Sequence, residues 1–233
     1  MKPRPLPSED PMYPSSDGKP LAENDWQLEA ILSALDMLRG HFEERPDVYV
    51  SGDLLIYYEE GKPGKAVAPD VFVVLGADKH KRMVYKLWEE PKAPDFVLEV
   101  ASKNTWREDV GPKRATYAAL GIREYWLFDP KGEYWNPPLQ GLTLEDGVYR
   151  PLGARAEAGR RTLRSTVLGM DVWAENGLVR FRDVGSGEVM RTWSEHRDAH
   201  RREQVARERE QVAHERERAR LEARIRELEA REG

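Results

Sequence analysis

Between Asp95 and Pro130 the chain reads as strand, helix, strand, and this order restricts the fold more than any other feature of its 233 residues. DFVLEVAS (95–102) is an apolar run of strand length. WREDVGPKRATYAALG (106–121) carries Asp109 near its start, Pro112 at a first-turn position and Gly121 at a helix stop. IREYWLFDP (122–130) is a second strand ending in a turn.

The flanking segments fill in the class. DWQLEAILSALDMLRGHF (25–42) has apolar residues at 28, 31, 32, 35 and 38, near the helical period, and Gly40 and Pro46 stop it. VYVSGDLLIYYEEG (48–61) reads as one strand or as a hairpin turning near Ser51–Asp53. PDVFVVLG (69–76) is a short strand, and the middle of RMVYKLWEEP is a short strand or helix. Beyond 130, the runs GLTL, GVYRPL and GLVRFRD complete or flank the sheet. The expected architecture is an α/β (α+β) domain over 23–190 with a mixed central β-sheet. Residues 1–22, with several prolines, read as an extended arm.

Composition changes sharply at Ser194. From there to the end stand 11 Arg against 11 Asp plus Glu, with no Pro and no Gly before the last residue. Val205, Val212 and Ala219 repeat at seven, and Leu221, Ile225 and Leu228 step by four and three. The spacing suits a coiled-coil seam on a long charged helix (194–233) that joins copies of the chain. The competing reading is a single solvated helix held by i,i+4 ion pairs.

Other classes are excluded by what is missing. There is no cysteine, so disulfides, thiolate zinc sites and a cysteine nucleophile are ruled out. Five scattered histidines form no HExxH cluster. No apolar run approaches the roughly 18–20 residues of a membrane span, and the N-terminus lacks a signal-peptide core, which implies a cytoplasmic protein. Net charge is −5, against a strongly basic nucleic-acid binder. An acidic site nevertheless attracts phosphate once a divalent cation is present. The abundance of Arg and Glu fits a heat-adapted source.

One residue is out of place in this pattern. Phe96, Leu98 and Val100 point to one face of their strand, while Val97, Glu99 and Ala101 point to the other. Glu99 is therefore a carboxylate aimed at a buried surface, where an unpaired charge is costly. Asp70 opens another strand behind Pro69. If the two converge, a divalent cation such as Mg²⁺ relieves their repulsion. The alternatives are a turn cap for Asp70 and an arginine partner for Glu99. On the following helix Asp109, Lys113 and Tyr117 recur at i, i+4 and i+8, on one stripe. A lysine there can reach Glu99 and stabilise developing charge; otherwise it forms an exposed pair with Asp109.

Taken in order, these residues resemble the PD-(D/E)XK restriction-endonuclease superfamily and, more closely, the Uma-two family of nuclease-like domains. The matching series is Pro69-Asp70, Glu99-Val100-Ala101-Ser102, Asp109, Lys113, Tyr117, Gly121, Glu124-Tyr125-Trp126 and Asp129-Pro130. It is strong over 69–130 and vague over 131–193. The resemblance implies a restriction-endonuclease-like sheet flanked by helices, with Asp70 and Glu99 as ligands of Mg²⁺ or Mn²⁺. It implies hydrolysis of DNA phosphodiester bonds, with Lys113 as the third catalytic residue. Glu29 on the first helix would add an acidic group, or else be a solvated carboxylate. Ser102, Asp109 and Tyr117 would support the site; Ser102 also suits a bond to the loop backbone.

Two positions depart from the pattern. The superfamily places a lysine two residues after the glutamate, where this chain has Ala101. Lys113 is then the candidate, with Lys103 as a rival in the loop. Lys103 also stands where many relatives carry proline. The EYW-x2-DP run reads as core and turn rather than site.

Two further functions remain open at this level. One is a nuclease-fold module without turnover that assembles through its C-terminal helix. The other is a carboxylate pair of the glycosidase kind, for which Trp88, Trp106, Trp126 and Trp135 would line a sugar cleft.

Overall fold

The computed structural model describes residues 10, 12–18, 20–157 and 159–232, and the side chains of all these except 219 and 221–232. The remaining residues of the expected N-terminal arm lie outside the described ones.

The first helix, α1 (Asp25–His41), starts where Asn24 accepts the Gln27 N–H in its side chain, a standard N-cap. Its buried face is Gln27, Ala30, Ile31, Ala34, Leu35, Met37 and Leu38. Leu28 and Leu32, which the apolar spacing assigned to the core, are exposed.

The strands that follow are β1 (Val48–Ser51), β2 (Ile56–Tyr57), β3 (Ala66–Val67), β4 (Val71–Leu75), β5 (Tyr85–Lys86) and β6 (Phe96–Val100). Residues 48–61 are neither one strand nor a hairpin, which corrects the sequence expectation. Gly52 and the left-handed Asp53 (φ 50°) turn the chain out of the sheet. β2 then pairs with β3 and β5 in a separate three-stranded sheet.

The stretch 106–121 is two helices, α2 (Trp106–Val110) and α3 (Pro112–Ala119), rather than one. Proline has no N–H to continue a helix, and it disfavours the helical conformation at the residue before it. Gly111, at φ −113° and ψ −104°, takes up the break.

The sheet is completed by β7 (Glu124–Phe128), β8 (Leu139–Glu145) and β9 (Val148–Pro151), in the order β1-β4-β6-β7-β8-β9. Only β6 and β7 are parallel, joined through α2 and α3, so the sheet is mixed. A second antiparallel sheet holds β10 (Ala154–Glu157), β11 (Arg160–Ser165), β12 (Met170–Glu175) and β13 (Leu178–Asp183).

The central sheet has a core on each face. Phe96, Leu98, Val100, Trp126 and Phe128 meet α1 and the inner residues of the second sheet, Leu163, Met170, Val172 and Phe181. Val97, Ala101, Tyr125 and Leu127 meet Tyr117 of α3 and Ile56 of the small sheet. Each fully buried side chain of this size contributes about 1.5–3 kcal/mol. The expected alternation along β6 and β7 is thus met. Helices flank both faces, although the second sheet shares one of them.

Residues from 191 onward form a compact unit apart from those through 190. It holds α4 (Trp193–Glu232), one continuous helix of 40 residues. Val205 and Val212 are exposed on it. Leu221, Ile225 and Leu228, the rest of the expected seam, have side chains outside the described ones. Among the described residues no helix is long and apolar enough to cross a membrane.

Candidate active site

The site lies where β4 and β6 run antiparallel. Val71 pairs with Leu98, and continuing that register sets Asp70 across from Glu99. Asp70 Oδ2 accepts the Val100 N–H at 2.7 Å, which ties the start of β4 to the end of β6. The exit of β1 packs hard against this point. The Asp53 N–H donates to the Pro69 carbonyl at 2.9 Å. A Cβ on Gly52 would lie 2.1 Å from the Asp70 carbonyl oxygen, so only glycine fits there.

Glu99 is 0% exposed. Lys113 Nζ donates to its Oε2 at 2.9 Å, and the Tyr117 hydroxyl to its Oε1 at 2.5 Å. Lys113 and Tyr117 are four apart on α3, so one helix face presents both. Lys113 Nζ also stands 3.0 Å from Asp109 Oδ1. That contact is in ion-pairing range but off hydrogen-bonding geometry, and both buried Asp109 oxygens lack a hydrogen bond among the described residues. The spacing from 109 to 113 therefore works across the helix break rather than along one helix. The Tyr125 hydroxyl donates to the Asp109 carbonyl at 2.8 Å and fixes the end of α2.

Burial and the charges gathered here shift Asp70, Asp109 and Lys113. Burial, then Glu99, pushes Asp70 well above the usual carboxylate range, against Lys113 and the Val100 N–H. Burial, then Glu99, pushes Asp109 up to about 7. Burial alone would lower Lys113, but Glu99, Asp109 and Asp70 outweigh it and hold the ammonium protonated. Burial and Glu99 raise Tyr117 far beyond neutrality, so it acts as a hydroxyl donor.

Asp70 and Lys113 open onto a cleft of about 820 Å³, also lined by Gln27, Asp53, Ser102 and Thr105. Asp70 is enclosed by protein on most sides yet still touched by solvent at the cleft floor. Another cleft of about 720 Å³ runs along the outer edge of β1. Three of the cations that line it are engaged: Arg39 with the Val50 carbonyl, Lys79 with the Phe42 and Glu43 carbonyls, Arg82 with Glu90. The carboxylate chemistry lies in the first cleft.

The structure thus brings together Asp70, Glu99, Asp109, Lys113 and Tyr117. Ser102 lines the cleft and accepts the Thr105 N–H at 3.2 Å, opening the turn into α2. Lys103 is exposed in that loop, and no hydrogen bond or ion pair links it to Glu99. Glu29 is exposed on α1, and Gln27 is the residue of that helix that reaches the cleft. Gln27 Nε2 donates to the Val100 carbonyl at 3.2 Å, and its Oε1 accepts the Glu23 N–H at 2.8 Å. Sequence reasoning missed it because a glutamine on an amphipathic helix carries no charge or apolar signal.

The donor set suits a small hard cation. Among the described residues no three carboxylates or imidazoles converge as a ready cage. Mg²⁺, however, is commonly held by one or two carboxylates with waters and substrate phosphate. Asp70 and Glu99 are the two carboxylates here that would hold such an ion.

Residues 5–175 match the profile of the Uma2 family, described as "Putative restriction endonuclease". This chain belongs to the Uma2 family. The Uma2 match spans well over half of the 233 residues and contains every residue of the site. The chain is also similar to a solved structure titled a "putative nuclease belonging to DUF820" from Anabaena variabilis. The two share 11% identity over 62% of this chain and 74% of that one, with a TM-score of 0.46. No curated protein matches the chain. In this Uma2 member the EYW-x2-DP run is structural. Buried Glu124 takes the Trp126 Nε1–H, the Ser165 and Thr166 hydroxyls and the Thr166 and Val167 N–H groups. Asp129 accepts the backbone N–H groups of Lys131, Gly132, Tyr134 and Trp135.

Proposed function

We propose that this protein is a metal-dependent endonuclease that hydrolyses DNA phosphodiester bonds at the Asp70–Glu99–Lys113 site. The observation that carries the reading is the clustering of Asp70, Glu99 and Lys113 where the start of β4 meets the end of β6 under α3, with Asp70 and Lys113 open to a cleft.

Asp70 and Glu99 would hold Mg²⁺ or Mn²⁺. Such an ion supplies charge neutralisation at the phosphate and a more acidic water. Lys113, kept protonated, faces the cleft and adds fixed positive charge where the phosphorane charge develops. Tyr117 and Asp109 hold that ammonium and Glu99 in place from behind. The Asp70–Val100 bond keeps the two strand ends from separating, and Gln27 ties α1 to the end of β6.

A second reading is an assembly module without turnover. It is favoured by Glu99, whose two oxygens are both engaged by Lys113 and Tyr117. In either case α4 would join copies of the chain, and two joined sites suit a double-strand break. Deleting 194–233 and measuring mass in solution tests this; an unchanged oligomer removes the tail from the argument.

The deciding experiment is cleavage of supercoiled plasmid with Mg²⁺ or Mn²⁺, beside Asp70→Ala and Lys113→Ala proteins prepared identically. Nicking by the wild type alone supports the endonuclease. No nicking, with a cation still bound, supports the assembly module, and equal nicking by all three indicates a contaminant.

A further inference from the structure

Glu99 is locked. One of its oxygens is held by Lys113 at 2.9 Å and the other by Tyr117 at 2.5 Å. It is 0% exposed and does not line the cleft, whereas Asp70 and Lys113 do. A cation arriving from the cleft therefore meets Asp70 first and finds an ammonium on Glu99. An ammonium and a divalent cation on one carboxylate repel each other, and water screens them little in a buried site. Lys113 has to yield before Glu99 becomes a ligand.

A place for the ammonium is already built. Lys113 Nζ stands 3.0 Å from Asp109 Oδ1, nearly the distance that separates it from Glu99. Yet it hydrogen-bonds Glu99 and not Asp109. Both oxygens of Asp109, which is 1% exposed, lack a hydrogen bond among the described residues. A buried carboxylate in that condition requires a reason. It is also fixed in place. Asp109 belongs to α2, across the Gly111 break from Lys113 on α3, and the Tyr125 hydroxyl donates to its carbonyl at 2.8 Å. The lysine, in contrast, is a flexible four-carbon stem with three rotatable donors. Rotation at the end of that stem turns an N–H from Glu99 to Asp109 without taking the ammonium out of the site.

We propose that Asp109 is a second seat for the Lys113 ammonium, so that Lys113 passes its hydrogen bond from Glu99 to Asp109 as a cation takes Glu99. Asp109 is then a positioning residue. It sets how easily Glu99 is released, and it keeps the ammonium beside the cleft afterwards. Tyr117 meanwhile holds the other Glu99 oxygen, so the carboxylate stays in place during the exchange. The inference rests on reading Asp70 and Glu99 as cation ligands and adds the device that frees one of them.

The test uses the full chain at pH 8, above the value of about 7 to which burial and Glu99 raise Asp109, so its carboxyl is mostly ionised. Mn²⁺ binding is read from the electron paramagnetic resonance signal of the free ion, without nucleic acid. Asp109→Asn weakens binding about tenfold, and Lys113→Met, which unlocks Glu99, tightens it about tenfold. Adding Asp109→Asn to Lys113→Met costs about twofold or less, because no ammonium is left to seat. A carboxylate acting only through its field would weaken binding equally in both backgrounds, and that result overturns the proposal. A second arm needs no change at Lys113. In nitrogen-15 NMR spectra of the lysine ammonium groups, the signal that Asp109→Asn moves is that of Lys113. Mg²⁺ shifts this signal in the wild type and leaves it visible, because the group stays hydrogen-bonded inside the protein. Loss of the signal to exchange with water means that Lys113 swings out into the cleft, and an unmoved signal means that it stays on Glu99; either overturns the handover. The two readings fail separately. Binding that Asp70→Ala abolishes and Asp109→Asn leaves untouched keeps the metal reading and removes the handover. No binding by the wild type or by Lys113→Met removes both.

Discussion

The Lys113 ammonium donates to Glu99 Oε2 across 2.9 Å, and both groups are largely buried behind the cleft. Removing one partner of a buried pair leaves the other charge unpaired, which costs about 3–5 kcal/mol. Lys113→Met is therefore expected to lower stability by that order. Lys113→Met/Glu99→Gln, which removes both charges, recovers much of it. Urea unfolding of the two single variants and the double variant gives the coupling energy. If the pair also serves catalysis, the double variant is stable and inactive. Full nicking by a stable double variant would remove both residues from the chemistry.

Gly52 sets the position of Asp70. Its missing Cβ would lie 2.1 Å from the Asp70 carbonyl oxygen and 3.3 Å from Leu35 Cδ1. Gly52→Ala must push the β1 exit away from β4, at a cost of about 2 kcal/mol or more. Gly64→Ala is the matched control, because nothing lies within 4 Å of its Cβ position. Differential scanning fluorimetry is expected to show a lower melting temperature for Gly52→Ala alone. Nicking falls with it if the Asp70 backbone has to be held in place.

The strands of the site and the extent of the first helix were readable from sequence, but the residue that this helix sends to the cleft was not, for a physical reason. In β6 and β7 the alternation of faces follows directly from the period of two, so Glu99 opposing the Phe96–Leu98–Val100 core was evident. The ordered motif then pointed to Asp70 and Lys113, which lie beside Glu99 in the fold. On α1 Ile31, Leu35 and Leu38 are buried as their spacing implies, but the buried face is centred elsewhere than the apolar residues suggest. Leu28 and Leu32 face water, while Gln27, Ala30 and Ala34 are buried. Small side chains there let the helix approach the sheet, and a buried glutamine bonds the Val100 carbonyl. Composition alone cannot signal either choice, so Gln27 carries no mark in the sequence, while Glu29, the acidic candidate on this helix, is exposed. The break at Gly111 was missed because Pro112 suits the first turn of a helix and was assigned to the wrong one.

Asp109 makes metal-free stability depend on pH. Its ordinary value is 3.8, and in the folded chain it is pushed up to about 7 by burial and Glu99. The native state then binds the proton more tightly than the unfolded chain does. Between about pH 4 and 7 native molecules carry more protons at Asp109, so its contribution to stability falls as pH rises and levels off above 7. Melting in EDTA from pH 5 to 8.5 is expected to show this slope, and Asp109→Asn to reduce it, the part that remains belonging to Asp70, which burial and Glu99 also raise. Mg²⁺ or Mn²⁺ competes with protons for the same carboxylates, so it raises the melting temperature more at pH 8 than at pH 6. A cation without effect at any pH would count against the metal reading.

The second sheet has a carboxylate hub of the opposite kind. Asp171 accepts hydrogen bonds from Arg155, Arg164 and Arg182, each at 2.6 Å. The guanidiniums themselves shield it from water. Desolvation raises its pKa, but the hydrogen bonds from Arg164 and Arg182 and the added arginine charge outweigh that and hold it below 3.8. For a depressed carboxylate, stability is fully present above the unfolded value and is lost as pH falls through the folded one. The hub therefore supports the fold at neutral pH and gives way only in acid below about pH 4. Asp171→Asn leaves three guanidiniums around a neutral amide. The arginines are partly solvated, so the cost is discounted to about 2 kcal/mol. Urea unfolding at pH 7 is expected to show that loss, while nicking per folded molecule is unchanged because Asp171 touches nothing in the cleft. A Asp171→Asn protein as stable as wild type would mean that the three arginines are held by their packing, not by the carboxylate beneath them.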